Sequence, residues 1–104
     1  MELKNITEVL MLFDYYKNLL SEKQKKYIEA YFEEDYSLSE IAEANNVSRQ
    51  AISDNINRTV KLLKNYEKNL GFLKRDEIIK SKLEIILMDK NIDEIREIIK
   101  LLEA

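Results

Sequence analysis

Ser37-Leu-Ser-Glu-Ile-Ala-Glu-Ala-Asn-Asn-Val-Ser-Arg-Gln-Ala-Ile-Ser-Asp-Asn-Ile-Asn-Arg58 reads as two short helices joined by a tight turn. Ser37 followed by Glu40 is a capping-box pattern, and it opens a helix carrying Leu38, Ile41 and Ala42. Asn45-Asn46 is the turn, because a short amide side chain bonds locally and tolerates the left-handed conformation. Ser48 caps the next helix. Ile41, Ala42, Val47, Ala51, Ile52 and Ile56 are expected to form the small core between the two helices, with Ala42 keeping their closest approach short. This is the layout of a helix-turn-helix, whose second helix commonly enters the DNA major groove.

Working outward, the 104 residues contain no proline and one glycine, Gly71, so nearly all of the chain reads as helix. Ile6, Val9, Leu10, Phe13 and Leu20 recur at three-to-four spacing and predict a first amphipathic helix from about Asn5 to Asn18. Ser21 with Gln24 is a second capping box; its helix carries Tyr27, Ile28, Tyr31 and Phe32 and ends in the acidic run Glu33-Glu34-Asp35. From Ser48 no breaker intervenes before Gly71, so the fourth helix runs about 20 residues, or roughly 30 Å. Its second half carries the apolar stripe Val60, Leu63, Tyr66 and Leu70. Ile78, Ile79, Leu83, Ile86 and Leu87 predict a fifth helix. Asn91 with Glu94 caps a sixth, which holds Ile92, Ile95, Ile98, Ile99 and Leu102. The fold expected is all-α, divided into a helix-turn-helix domain at 1–71 and a C-terminal helical hairpin at 72–104 that is too small to be stable alone. The hairpin is expected to pack on the first part, on a dimer partner, or on both.

Composition removes several function classes. There is no cysteine and no histidine, which excludes disulfides, thiolate or imidazole metal sites and nucleophile–histidine catalysis. No cofactor or metal is expected, no phosphate-binding loop is present, and the chain reads as a non-enzyme. The apolar runs fall far short of the roughly 20 residues of a membrane span. Met1-Glu-Leu-Lys-Asn5 lacks the basic and apolar regions of a leader, so a cytoplasmic protein without membrane insertion is expected.

The net charge is −3, but it is unevenly placed. Tyr27 to Glu43 holds six acidic residues and no basic one, whereas Ser48 to Lys68 holds five basic and two acidic, for a balance of +3. The positive part begins at the candidate recognition helix. There Gln50, Ser53, Asp54, Asn57 and Lys61 are expected to project away from Ile52 and Ile56, with Arg49 beside them in the first turn. Arg49, Gln50, Ser53 and Asn57 are candidate readers of base edges, since Arg, Gln and Asn can pair bidentately with guanine or adenine. Ser48, at the free N–H groups of the helix start, Arg58 and Lys61 suit phosphates. Asp54 argues the other way, because a carboxylate is repelled by phosphate unless it accepts from a cytosine amine. The aromatic side chains Phe13, Tyr15, Tyr16, Tyr27, Tyr31, Phe32 and Tyr36 read as core packing, with tyrosine rings buried and hydroxyls wet.

The strings Leu12-Phe-Asp-Tyr-Tyr16, Leu19-Leu-Ser-Glu-Lys-Gln24, Asp35-Tyr-Ser-Leu-Ser-Glu-Ile-Ala42 and Val47-Ser-Arg-Gln-Ala-Ile-Ser-Asp-Asn-Ile56 resemble the YlxM family of small bacterial helix-turn-helix proteins. The similarity covers roughly Ile6 to Gly71. The resemblance implies a fold like region 4 of bacterial sigma factors. It also implies DNA binding, and a regulatory role linked to the signal recognition particle and its GTPases. By the same resemblance Arg49, Gln50, Ser53 and Asn57 fall where that sigma region reads its promoter element, Asp54 belongs to the family pattern, and no catalytic residue is implied. The expectation is a regulatory DNA-binding homodimer. The rival is an accessory module that binds the particle's GTPase or its RNA, with the acidic Tyr27 to Glu43 surface meeting a basic partner.

Overall fold

The capping boxes, the polar turn and the single glycine set where the helices of the computed structural model begin and end. The structure describes residues 3–103; Met1 and Glu2, read above for a leader, and Ala104 lie outside the described residues. Six helices and no strand occur among the described residues. They fall into two compact units, Met1–Asn69 and Leu70–Ala104.

In the first unit, α1 spans Leu3–Tyr16 and runs into a 3-10 turn at Lys17–Leu19. Next comes α2, Glu22–Ile28, capped as expected by Ser21. The Ser21 hydroxyl accepts from the Gln24 N–H at 3.2 Å, and the Gln24 side chain accepts from the Ser21 N–H at 2.9 Å. The helix continues past Ile28, without a break, as a π-helical turn over Glu29–Glu33, which no periodicity in the sequence signals. It stops because Asp35 takes a left-handed conformation (φ 59°), letting the Tyr36 N–H reach back to the Ala30 carbonyl at 3.0 Å.

Helix α3 spans Leu38–Ala44 and opens on the reciprocal Ser37–Glu40 box, at 2.9 and 3.0 Å. The Ser37 backbone N–H, and after it the Ser37 hydroxyl, hold the Glu40 carboxyl below the usual range. The turn that follows is a Schellman motif. Asn46 sits in the left-handed region (φ 55°), the Val47 N–H bonds the Ala42 carbonyl at 3.1 Å, and the Asn46 N–H bonds the Glu43 carbonyl at 3.3 Å. Asn45 finishes α3 through its own amide, which donates to the Ile41 carbonyl at 2.7 Å. Helix α4 then runs Arg49–Leu70.

The core of this unit joins Val9, Leu12, Phe13 and Tyr16 of α1 with Tyr27, Ile28 and Phe32, with Ile41 and Ala42 of α3, and with Ile52, Ile56, Thr59 and Leu63 of α4. Thr59 is the one polar member and is satisfied locally, its hydroxyl donating to the Asn55 carbonyl at 2.9 Å. Tyr16 departs from expectation. Its ring is only 2% exposed and its hydroxyl is not left to water: it donates to Glu67 Oε1 at 2.6 Å. The Tyr16 ring also lies 6.0 Å from that of Tyr66. Together these contacts tie the end of α1 to the far half of α4. The stripe Val60 to Leu70 is therefore partly spent inside this unit, with Leu63 fully buried.

In the second unit, Gly71 (φ 65°) supplies the left-handed link that ends α4, and α5 follows over Phe72–Asp89. Lys90, also left-handed, closes α5 with a 2.8 Å bond from its N–H to the Ile86 carbonyl, and α6 spans Asp93–Glu103. The Asn91 side chain caps α6 as expected, accepting from the Asp93 N–H at 3.1 Å, while the Glu94 side chain takes no part in the cap. Glu94 is drawn across the hairpin to Lys82 at 3.2 Å, because a charged partner on α5 competes better for a carboxylate than a cap does. Ile98 is the only buried side chain of α5 and α6 among the described residues.

Tyr16→Phe removes a hydrogen bond to a carboxylate and is expected to cost about 1–2 kcal/mol in urea denaturation, with an unchanged m-value. Asn46→Gly is expected to be neutral within a few tenths of a kcal/mol, whereas Asn46→Val, forced into left-handed backbone, should lose about 1–3 kcal/mol in the same assay.

Candidate nucleic-acid interface

Helix α4 starts where the Ser48 hydroxyl accepts from the Ala51 N–H at 3.0 Å and the Ser48 carbonyl from the Ile52 N–H at 3.2 Å. The first-turn N–H groups of Arg49 and Gln50 find no acceptor among the described residues. Such groups, with the positive end of the helix dipole, favour an anion.

Along α4 the buried row Ile52, Ile56, Thr59 and Leu63 keeps to one face. At 3.6 residues per turn, Gln50, Asp54, Asn57 and Lys61 fall on the opposite face, and all four are exposed. Ser48, Arg49 and Arg58 are exposed as well. Ser53 is not fully outward. It is half-buried and lines a cavity of about 240 Å³ with Tyr31, Leu38, Ile56 and Asn57, at the edge where α4 meets α2 and α3.

Two charge relations decide what this face offers. None of Arg49, Arg58 and Lys61 has a carboxylate within ion-pair distance among the described residues. Asp54, the residue that argued against nucleic acid, accepts from Gln50 Nε2 at 2.9 Å. One of its oxygens is thereby occupied, and the Gln50 amide is held in one orientation with its carbonyl and second N–H still available. The four-residue spacing of Gln50 and Asp54 was the sequence signal for this contact.

The interhelical core is narrower than expected. Ile41, Ala42, Ile52 and Ile56 are buried, but Val47 is 37% exposed and Ala51 is exposed too. Both line an open groove of about 320 Å³ shared with Lys23, Tyr27, Asp54 and Arg58. The reason is positional: Val47 closes the Schellman turn at the mouth of the motif rather than between the helices. The packing of α2 beside α4 also places Lys23 along the groove that Arg58 lines, a neighbourhood that no local pattern in the sequence signals.

Among the described residues no cluster of acidic side chains is placed to hold a metal ion, and no helix is long and apolar enough to cross a membrane.

Comparison with known proteins gives a consistent picture. Residues 3–103 match the model of a family described as "Putative helix-turn-helix protein, YlxM / p13 like". A relative in Fusobacterium nucleatum is 47% identical over 100 residues, covering 96% of this chain and 97% of its own. The UPF0122 protein YlxM of Bacillus subtilis is 43% identical over 107 residues, covering 99% of this chain and 97% of its own. A relative in Listeria welshimeri is 52% identical over 84 residues, or 78% of this chain and 76% of its own. The chain belongs to the YlxM / p13-like helix-turn-helix family.

Proposed function

We propose that this chain is a non-enzymatic, cytoplasmic DNA-binding regulator that acts as a homodimer. The observation that carries the reading is the outer face of α4. It combines three unpaired cations, a helix start with two open N–H groups, and amide side chains opposite a fully buried row. Arg49, Gln50, Ser53 and Asn57 read base edges in the major groove; Ser53, being half-buried, reaches only at the margin. Ser48 with the helix start, Arg58 and Lys61 hold phosphates. Asp54 keeps the Gln50 amide oriented before DNA arrives. The helix-turn-helix family supports nucleic acid as the ligand. The link to the signal recognition particle pathway rests on the family resemblance alone. A protein- or RNA-binding accessory role for that particle's GTPases is the competing reading.

The division at residue 71 and the homodimer rest on the hairpin. Leu87 and Met88 are each 82% exposed, Ile92 73% and Leu102 59%, while α6 buries Ile98 alone. Ile92, Ile95, Ile99 and Leu102 repeat at helical spacing, so the exposed groups form one continuous stripe. A second copy covering this stripe removes it from water and doubles the number of DNA half-sites.

In a binding assay on duplex DNA, contact with five or six phosphates is expected to give a log–log salt slope of about −5. Lys61→Ala should weaken all sequences alike and flatten the slope by about 1, whereas Gln50→Ala and Asn57→Ala should relax the preference recovered by selection from random duplexes. A weak, flat response at physiological salt favours the competing reading. Light scattering should return about twice the 12.4 kDa chain mass, and Ile95→Glu with Leu102→Glu should halve it.

A further inference from the structure

A second surface lies on α2 and α3, and no α4 residue lines it. The cavity there is about 450 Å³, within the ~300–1,000 Å³ range of sites that take a ligand. Its floor is apolar, made by Tyr27, Ala30, Ile41 and Ala44. Its rim carries Glu29, Glu34 and Glu40 against a single cation, Lys26, whose ammonium already donates to Asn45 Oδ1 at 3.0 Å. Among the described residues no cation stands within ion-pair distance of Glu29 or Glu34. The π-helical turn at Glu29–Glu33 forms one wall, and such turns recur at functional sites because they displace side chains from the regular helical path.

We propose that this groove receives a basic amphipathic helical segment of a partner protein, with apolar side chains on the alanine-lined floor and Lys or Arg side chains against Glu29 and Glu34. The mode is helix-in-groove recognition, in which anchors one and two turns apart enter the groove. Charge complementarity selects the occupant. Nucleic acid is repelled by the three carboxylates. The chain's own hairpin, residues 72–104, carries seven basic and eight acidic residues and so offers no positive balance. The basic outer face of α4 in a second copy has no apolar anchor to fill the floor. Among the described residues no buried, unpartnered polar side chain converges on the cavity, which disfavours a small polar ligand. The inference is independent of the DNA reading, since none of Ser48, Arg49, Gln50, Ser53, Asn57, Arg58 and Lys61 lines this groove.

The test is a titration of isotope-labelled full-length protein, followed by amide chemical shifts, with a synthetic helical peptide of about four turns. The peptide carries leucines at i, i+4 and i+7 with lysines flanking them. Two controls replace the lysines by glutamate or the leucines by serine. The basic amphipathic peptide alone is expected to shift the amides of Tyr27 to Ala44, with affinity falling as salt rises. Glu29→Lys with Glu34→Lys should weaken it about tenfold or more, and the milder Glu29→Gln with Glu34→Gln less, with thermal melts unchanged and duplex-DNA binding not weakened in both. Equal binding by a control peptide, no binding at all, shifts confined to α4 or the hairpin, or indifference to the charge-reversed pair each overturn the proposal.

Discussion

Ile52, Ile56, Thr59 and Leu63 are withdrawn from water almost completely, and all four stand on one face of α4. Because a helix is rigid and its side chains keep a fixed angular spacing, burying that row also dictates which residues face outward. Gln50, Asn57 and Lys61 are presented because their opposite numbers are held. The Tyr16 hydroxyl on Glu67 and the Tyr16–Tyr66 ring contact anchor the distal half of the same helix against α1. A helix of 22 residues is thus clamped at both ends of its buried face, and its exposed N-terminal turn is the part left to meet a ligand.

The charge of the molecule follows the same partition. The net value of −3 hides a basic α4 and an acidic segment from Tyr27 to Glu43. Within the first unit these charges sit on different surfaces: Arg49, Arg58 and Lys61 on α4, and Glu29, Glu34 and Glu40 around the α2–α3 groove. A uniform mixture of the two signs would recognise neither polyanion nor polycation well. Segregation gives one small unit two surfaces of opposite potential. Asp54 stands on the basic side, and its bond to Gln50 Nε2 makes it a positioning group for a neighbour rather than an isolated repulsive charge.

The hairpin obeys a different constraint. Two helices joined by a short link cannot bury two full apolar faces against each other, and here Ile98 alone of the hairpin's described residues is buried while Leu87, Met88, Ile92 and Leu102 stay open to solvent. The Lys82–Glu94 pair joins the two helices but removes little apolar surface from water. Most of the apolar stripe of α6 therefore stays in contact with water.

Much of this was legible in the residues themselves. Capping depends on groups three residues apart, so Ser21–Gln24, Ser37–Glu40 and Ser48 could be read directly. The left-handed turn at Asn46 and the helix end at Gly71 were equally local, and so was the separation of buried and polar faces on α4. Contacts between distant segments could not be read, because no short-range pattern encodes them. Tyr16 meets Glu67 across 51 positions, Lys23 comes to the groove beside Arg58 only when α2 packs near α4, and Glu94 abandons its cap for Lys82 on the neighbouring helix. The π turn at Glu29–Glu33 and the open position of Val47 were hidden for the same reason. Sequence alone determined the helices, their caps and the outward face of the motif, since those depend on neighbours within a turn or two. Tertiary structure alone decided which carboxylates and amides are engaged, where grooves open and which apolar faces stay uncovered, because those depend on which helices lie side by side.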